Sequence, residues 1–290
     1  MSKANKFTIR FGRYLTRRLE TRSGGYHQRI YNNLENLKKY IRKGDVVLVE
    51  GRSRLSQIIK LFSQSHWSHI SMYVGDELIK KDSPLREKYL AVYGDAAEHL
   101  VIEAFTGLGV VASPLIKYKD YNLRVCRAFG IKSSDLRTVI NEVISNLGKS
   151  YDQQNIIDIA LMLLPRWLNP FQRQSIVACL GHCSTYKVIC SGMIANAFQK
   201  VGYPVNPALK QFSDDENNLS QNPYGSKLVM RHHSQILPRD FDLSPTFKIV
   251  KFNIVKGRKF KYKNLPWDEG VTASDIIQDS DVHNTASEQH

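Results

Sequence analysis

The sequence predicts an α+β domain, and three observations carry that expectation. Short apolar runs bounded by glycine or polar turn residues recur between residues 44 and 129 and read as strands of one sheet. Segments at 55–62, 135–148 and 190–201 instead repeat their apolar residues at helical spacing. The last of these opens on Cys190, which places a thiol at a helix start beside unsatisfied backbone N–H groups.

Taken in order, residues 5–22 place Phe7, Phe11, Tyr14, Leu15 and Leu19 on one helical face, with Arg10, Arg13, Arg17, Arg18 and Arg22 around them. Such a helix can lie on an anionic membrane surface, or dock on its own domain with the basic face solvated. A second short helix is expected over about 29–41. GDVVLVEG (Gly44 to Gly51) is a glycine-bounded strand, and LSQIIKLF (Leu55 to Phe62) a short helix. HWSHISMYVGD (His66 to Asp76) alternates His69, Ser71 and Tyr73 with Ile70, Met72 and Val74, as a strand does. A charged insertion over 77–98 reads as a lid, helix or loop. HLVIEAFTG, GVVASPL and NLRVCRAF are further strands. DLRTVINEVISNLG is an amphipathic helix closed by Gly148, and a further helix over 155–164 stops at Pro165. The Cys190 helix carries Met193, Ile194, Ala197, Phe198 and Val201 on one face and stops at Gly202. A last strand is expected over 247–252.

Composition narrows the functional class. The chain has 290 residues, 42% of them hydrophobic, enough for one sizeable core or two small ones. Its net charge of +14 is uneven: residues 1–43 hold twelve Lys or Arg against Glu20 and Glu35, while 264–290 hold six acids and no Lys or Arg. The organisation read from this is a basic helical extension over 1–43, a folded body over 44–263 and an acidic, disordered tail over 264–290. No nucleic-acid partner is expected, because no basic and aromatic pattern continues into the body. The first twenty residues hold no apolar signal core and the longest apolar run, Ile159 to Leu164, is too short to span a bilayer. A cytoplasmic location is expected, with a peripheral position on the inner face of a membrane as the alternative, and Cys126, Cys179, Cys183 and Cys190 are expected as thiols.

A cysteine nucleophile needs a base and the base needs an orienting group. A helix end stabilises a thiolate by only about 0.3–1 kcal/mol, less than one pKa unit, so Cys190 needs a partner. His69 opens a strand between small polar residues, and Glu103 lies mid-strand, where a carboxylate requires a partner. Read alone, Cys190 is better explained as core packing, and His69 as a strand-end histidine with a backbone partner. Glu103 could pair instead with Arg124 or Arg127, and His66 is a rival base. CLGHCSTYKVIC offers Cys179, His182, Cys183 and Cys190 as zinc ligands, but at an unfamiliar spacing in a very tight loop.

GDVVLVEG, WSHISMYVG, VIEAF, GKSYD (Gly148 to Asp152) and ICSGMI, in that order, resemble the permuted papain-like fold. They are most similar to the YiiX-like branch of the NlpC-type cysteine hydrolases, with lecithin:retinol acyltransferase-like enzymes as cousins. ILPRDF (Ile236 to Phe241) resembles the closing segment. The resemblance implies an antiparallel sheet packed on the helix that carries the nucleophile. It makes Cys190 the nucleophile, His69 the base and Glu103 the third member, assigns Tyr151 and Ser191 to substrate binding, and calls for no metal or cofactor. The implied reaction is acyl transfer through a thioester on an amide, with a lipid ester at a membrane surface as the alternative substrate. A non-catalytic binding module with an idle triad is the reading from a different class.

Overall fold

A computed structural model describes residues 21, 28, 32–105, 108–149, 189–211 and 226–252. Along them run α1 (Leu34–Tyr40), β1 (Val46–Val49), α2 (Arg54–Ser63), β2 (His69–Gly75), α3 (Arg86–Tyr93), β3 (Leu100–Phe105), β4 (Gly109–Pro114) and β5 (Leu123–Ala128). Then come α4 (Ser133–Ser145), α5 (Ile189–Lys200), β6 (Ala208–Gln211), β7 (Ser226–Val229), α6 (Pro238–Asp242) and β8 (Phe247–Val250). The basic segment 5–22 apart from Thr21, the helix expected over 155–164, Tyr151 and the acidic tail 264–290 lie outside the described residues.

Six strands form one antiparallel sheet in the order β4-β3-β2-β1-β5-β8, which makes the fold α+β as the sequence predicts. β1 is flanked on both sides, and all four of its residues are buried. That is why it reads as the continuous run VVLV, with no polar alternation. β6 and β7 make a separate two-stranded ribbon that the sequence pattern does not announce.

Strand alternation gives the sheet two faces with different covers. Val46, Leu48, Ile70, Met72, Leu100 and Ile102 share one core with Met193, Ile194, Ala197 and Phe198 of α5. Val139, Ile140 and Val143 of α4 join the same core. Val47, Val49, Tyr73, Val101 and Val125 form a second core with Leu37 and Ile41, just past α1, and with Leu115 and Tyr118. Phe198 is fully buried, and burying one such side chain is worth about 1.5–3 kcal/mol.

Local chemistry sets the helix ends. The Ser53 hydroxyl accepts from Ser56 N at 3.1 Å and caps α2. α5 ends before Gly202, whose φ of +72° is the left-handed conformation that stops a helix and that glycine adopts without strain. The 77–98 insertion is helical: α3 lies between 3-10 turns at Glu77–Ile79 and Gly94–Glu98, and Leu78, Ile79, Tyr89 and Ala97 are buried in the first core.

Candidate active site

His69 is the first residue of β2, opposite Val49 of β1. Its approach is fixed from both sides. Trp67 Nε1 donates to Asp242 Oδ2 at 2.9 Å, while Ser68 N donates to Val49 O and Ser68 Oγ accepts from Gly51 N at 2.9 Å. On the next strand Glu103 pairs with Ser71, so His69 and Glu103 are diagonal neighbours on one face. Their side chains meet, with His69 Nε2 2.7 Å from Glu103 Oε2. The imidazole is 17% exposed and the carboxylate 0%. The ring also stacks on Phe105, with centroids 5.1 Å apart.

Glu103 is held by more than its histidine. Lys117 Nζ lies 2.8 Å from Oε1, and the Tyr118 hydroxyl donates to Oε2. Burial pushes this carboxyl up. The hydrogen bond and charge of His69, with the Lys117 ammonium, more than offset that and hold it down at about 2. It is therefore a carboxylate at neutral pH, and an acceptor for an N–H on Nε2. The neutral imidazole then carries its lone pair on Nδ1, the nitrogen through which it can act as a base.

Arg124 is bound to Asp242 at 2.6 Å and Arg127 to Asp45 at 2.7 Å, so neither pairs with Glu103. β5 is the third strand from β3, with β2 and β1 between them. His66 is exposed in the turn before β2. Cys126 is fully buried, and burial raises its thiol to about 12, which makes it inert packing. Lys117 and Tyr118 carry no sequence signal: they sit in a 3-10 turn, Leu115–Tyr118, that follows β4.

Cys190 is the second residue of α5, at the helix start as expected. Its side chain lies outside the described residues, as do Tyr151, Cys179, His182 and Cys183. α5 packs on the face of Ile70 and Met72, whereas His69 and Glu103 point to the other face. Any meeting of the α5 start with His69 is therefore around the end of β2, where His69 stands. Ser191 is fully buried and donates to Ile236 O at 2.6 Å. Its donor ties the start of α5 to the segment before α6.

Residues 40–158 match the family of permuted papain-like amidase enzymes, YaeF/YiiX. Among solved structures, the metalloprotein YiiX of Escherichia coli O157:H7 is similar at 18% identity, over 73% of this chain and 98% of that one, with a TM-score of 0.41. No curated protein matches.

Proposed function

We propose that this chain, a YiiX-like permuted papain-like amidase over residues 40–158, is a cysteine hydrolase that cleaves an amide through a thioester formed on Cys190. The observation that carries the reading is the 2.7 Å pair between His69 Nε2 and the buried Glu103. With Nε2–H donated to Glu103, Nδ1 takes the Cys190 proton and the thiolate sulfur adds to the carbonyl carbon. The negative oxygen that forms is met by backbone N–H groups at the start of α5. The imidazolium, balanced by Glu103, returns its proton to the amine as the C–N bond breaks. Water, deprotonated by Nδ1, then releases the acid and restores the thiol.

The deciding experiment is labelling with a small thiol-reactive electrophile between about pH 5 and 9, below and above the ordinary thiol pKa of about 8.5. The expected result is one fast site that is absent in Cys190→Ala and slowed in His69→Ala. A Cys190 that labels no faster than an ordinary thiol overturns the reading.

A lipid ester at an anionic membrane is the second substrate reading, supported by the apolar and arginine faces of residues 5–22. Among the described residues no helix is long and apolar enough to cross a membrane. Sedimentation with vesicles containing phosphatidylserine tests it: a chain lacking residues 1–25 should lose binding, and undiminished binding removes the support.

A further inference from the structure

The Glu103 carboxylate serves two basic groups. His69 Nε2 is 2.7 Å from Oε2 and Lys117 Nζ is 2.8 Å from Oε1. The two also share an aromatic ring: Lys117 Nζ lies 4.0 Å from the Phe105 centroid, and the imidazole stacks on the same ring. An imidazole beside a lone carboxylate is drawn to its charged form, because the cation gains a partner. Here Glu103 already has a cation beside it, Lys117. With His69 neutral, Glu103 and Lys117 sum to zero charge; with His69 protonated, two cations share one fully buried carboxylate.

We propose that Lys117 is a positioning residue that shares Glu103 with His69 and thereby keeps the imidazole in the neutral form able to accept a proton. This rests on the reading of His69 as the base. Lys117 acts through Glu103 and does not touch the reacting atoms. The other titratable or charged groups on the elements around His69 are Tyr73 of β2, Tyr118 in the same turn as Lys117, Glu50 and Arg52 past β1, Arg54 and Lys60 of α2, and Cys190 and Lys200 of α5. Glu50 has its own cation, Lys60, at 3.0 Å, so Lys117 remains the cation bound to Glu103.

The test is direct NMR titration of the His69 imidazole in a Cys190→Ala background, where thiolate coupling is removed. Lys117→Met and Lys117→Gln should each raise the His69 pKa by about one unit, and Lys117→Arg should restore it. Lys117→Gln keeps a hydrogen-bond donor for Glu103, so it isolates charge and holds the fold should the Met variant not. A His69 pKa that stays put or falls in Lys117→Gln overturns the proposal, leaving Lys117 as packing on Phe105. Failure of the hydrolase reading looks different. Cys190 in the otherwise unaltered chain would then label slowly, whatever the titration shows.

Discussion

His69 Nε2 and Glu103 Oε2 lie 2.7 Å apart on adjacent antiparallel strands, with the carboxylate fully buried and the imidazole at the strand end. Removing the charge of Glu103 while keeping its shape should therefore act on catalysis through His69. Glu103→Gln leaves the imidazolium unbalanced and Lys117 without its anion. Amide hydrolysis should fall about 10²-fold or more, since positioned general bases contribute on that scale. A steady-state assay with Cys190 labelling beside it checks this. Hydrolysis at the rate of the unaltered chain would remove Glu103 from the mechanism.

The same carboxylate makes the fold sensitive to acid. Its pKa is depressed from 4.5 to about 2 in the folded chain, so its stabilisation is complete above pH 4.5 and disappears as pH falls through about 2. At about 1.4 kcal/mol per unit, the whole contribution is roughly 3 kcal/mol. Melting curves across that window should show the unaltered chain losing its advantage over Glu103→Gln. Parallel curves from neutral pH down to pH 2 would contradict it.

This pair is legible in the sequence because alternation in SHISMYVG and VIEAF sets which side chains share a face, and a buried carboxylate demands a partner. The rest of the cluster is not. Lys117 and Tyr118 reach Glu103 from a 3-10 turn after Pro114, and no periodicity announces where such a turn folds back. Arg124 and Arg127 read as rivals for Glu103 because strand order is invisible in the chain. The register puts β5 beside β1, and their partners are Asp242 and Asp45. Asp242 is 118 residues from Arg124, a pairing only the tertiary fold creates. The position of Cys190 at a helix start was readable from Gly202 and the apolar spacing of α5.

Ser191 should matter for stability. Its hydroxyl is fully buried and donates to Ile236 O at 2.6 Å, tying the start of α5 to the chain before α6. Ser191→Ala strands that carbonyl, and a buried unsatisfied group costs about 1–3 kcal/mol. Denaturant unfolding should show a lower midpoint with the same slope. An unchanged midpoint would mean that this tether carries no load.

Phe198 anchors the other end of the same helix. Its ring meets those of Tyr203 at 5.6 Å, Phe247 at 5.2 Å and Phe241 at 6.5 Å, so one side chain joins α5 to α6 and β8. Phe198→Ala should destabilise by about 3–5 kcal/mol through lost burial and the cavity left behind. Phe198→Leu retains most of the volume and should cost clearly less. Equal losses in the two variants would show that the site collapses and that ring packing is not what fixes the helix.

Gly51 sits where the chain leaves β1 and passes beside the approach to His69. A Cβ there would collide first with Ser56 Oγ, and would stand 2.8 Å from Ser68 Oγ and 2.9 Å from Ser56 Cβ, closer than side chains pack. Ser68 Oγ is also the acceptor for Gly51 N, so it cannot swing away without breaking that bond. Ser56 is held in turn by its N–H and hydroxyl contacts with Ser53 at the cap of α2. Gly51→Ala should therefore cost about 1–3 kcal/mol and shift the residue before His69, slowing Cys190 labelling. Adding Ser56→Gly removes the nearest obstruction and should recover part of both losses, a coupling that a double-mutant cycle measures. Strictly additive effects would place the strain elsewhere and detach Gly51 from the geometry of His69.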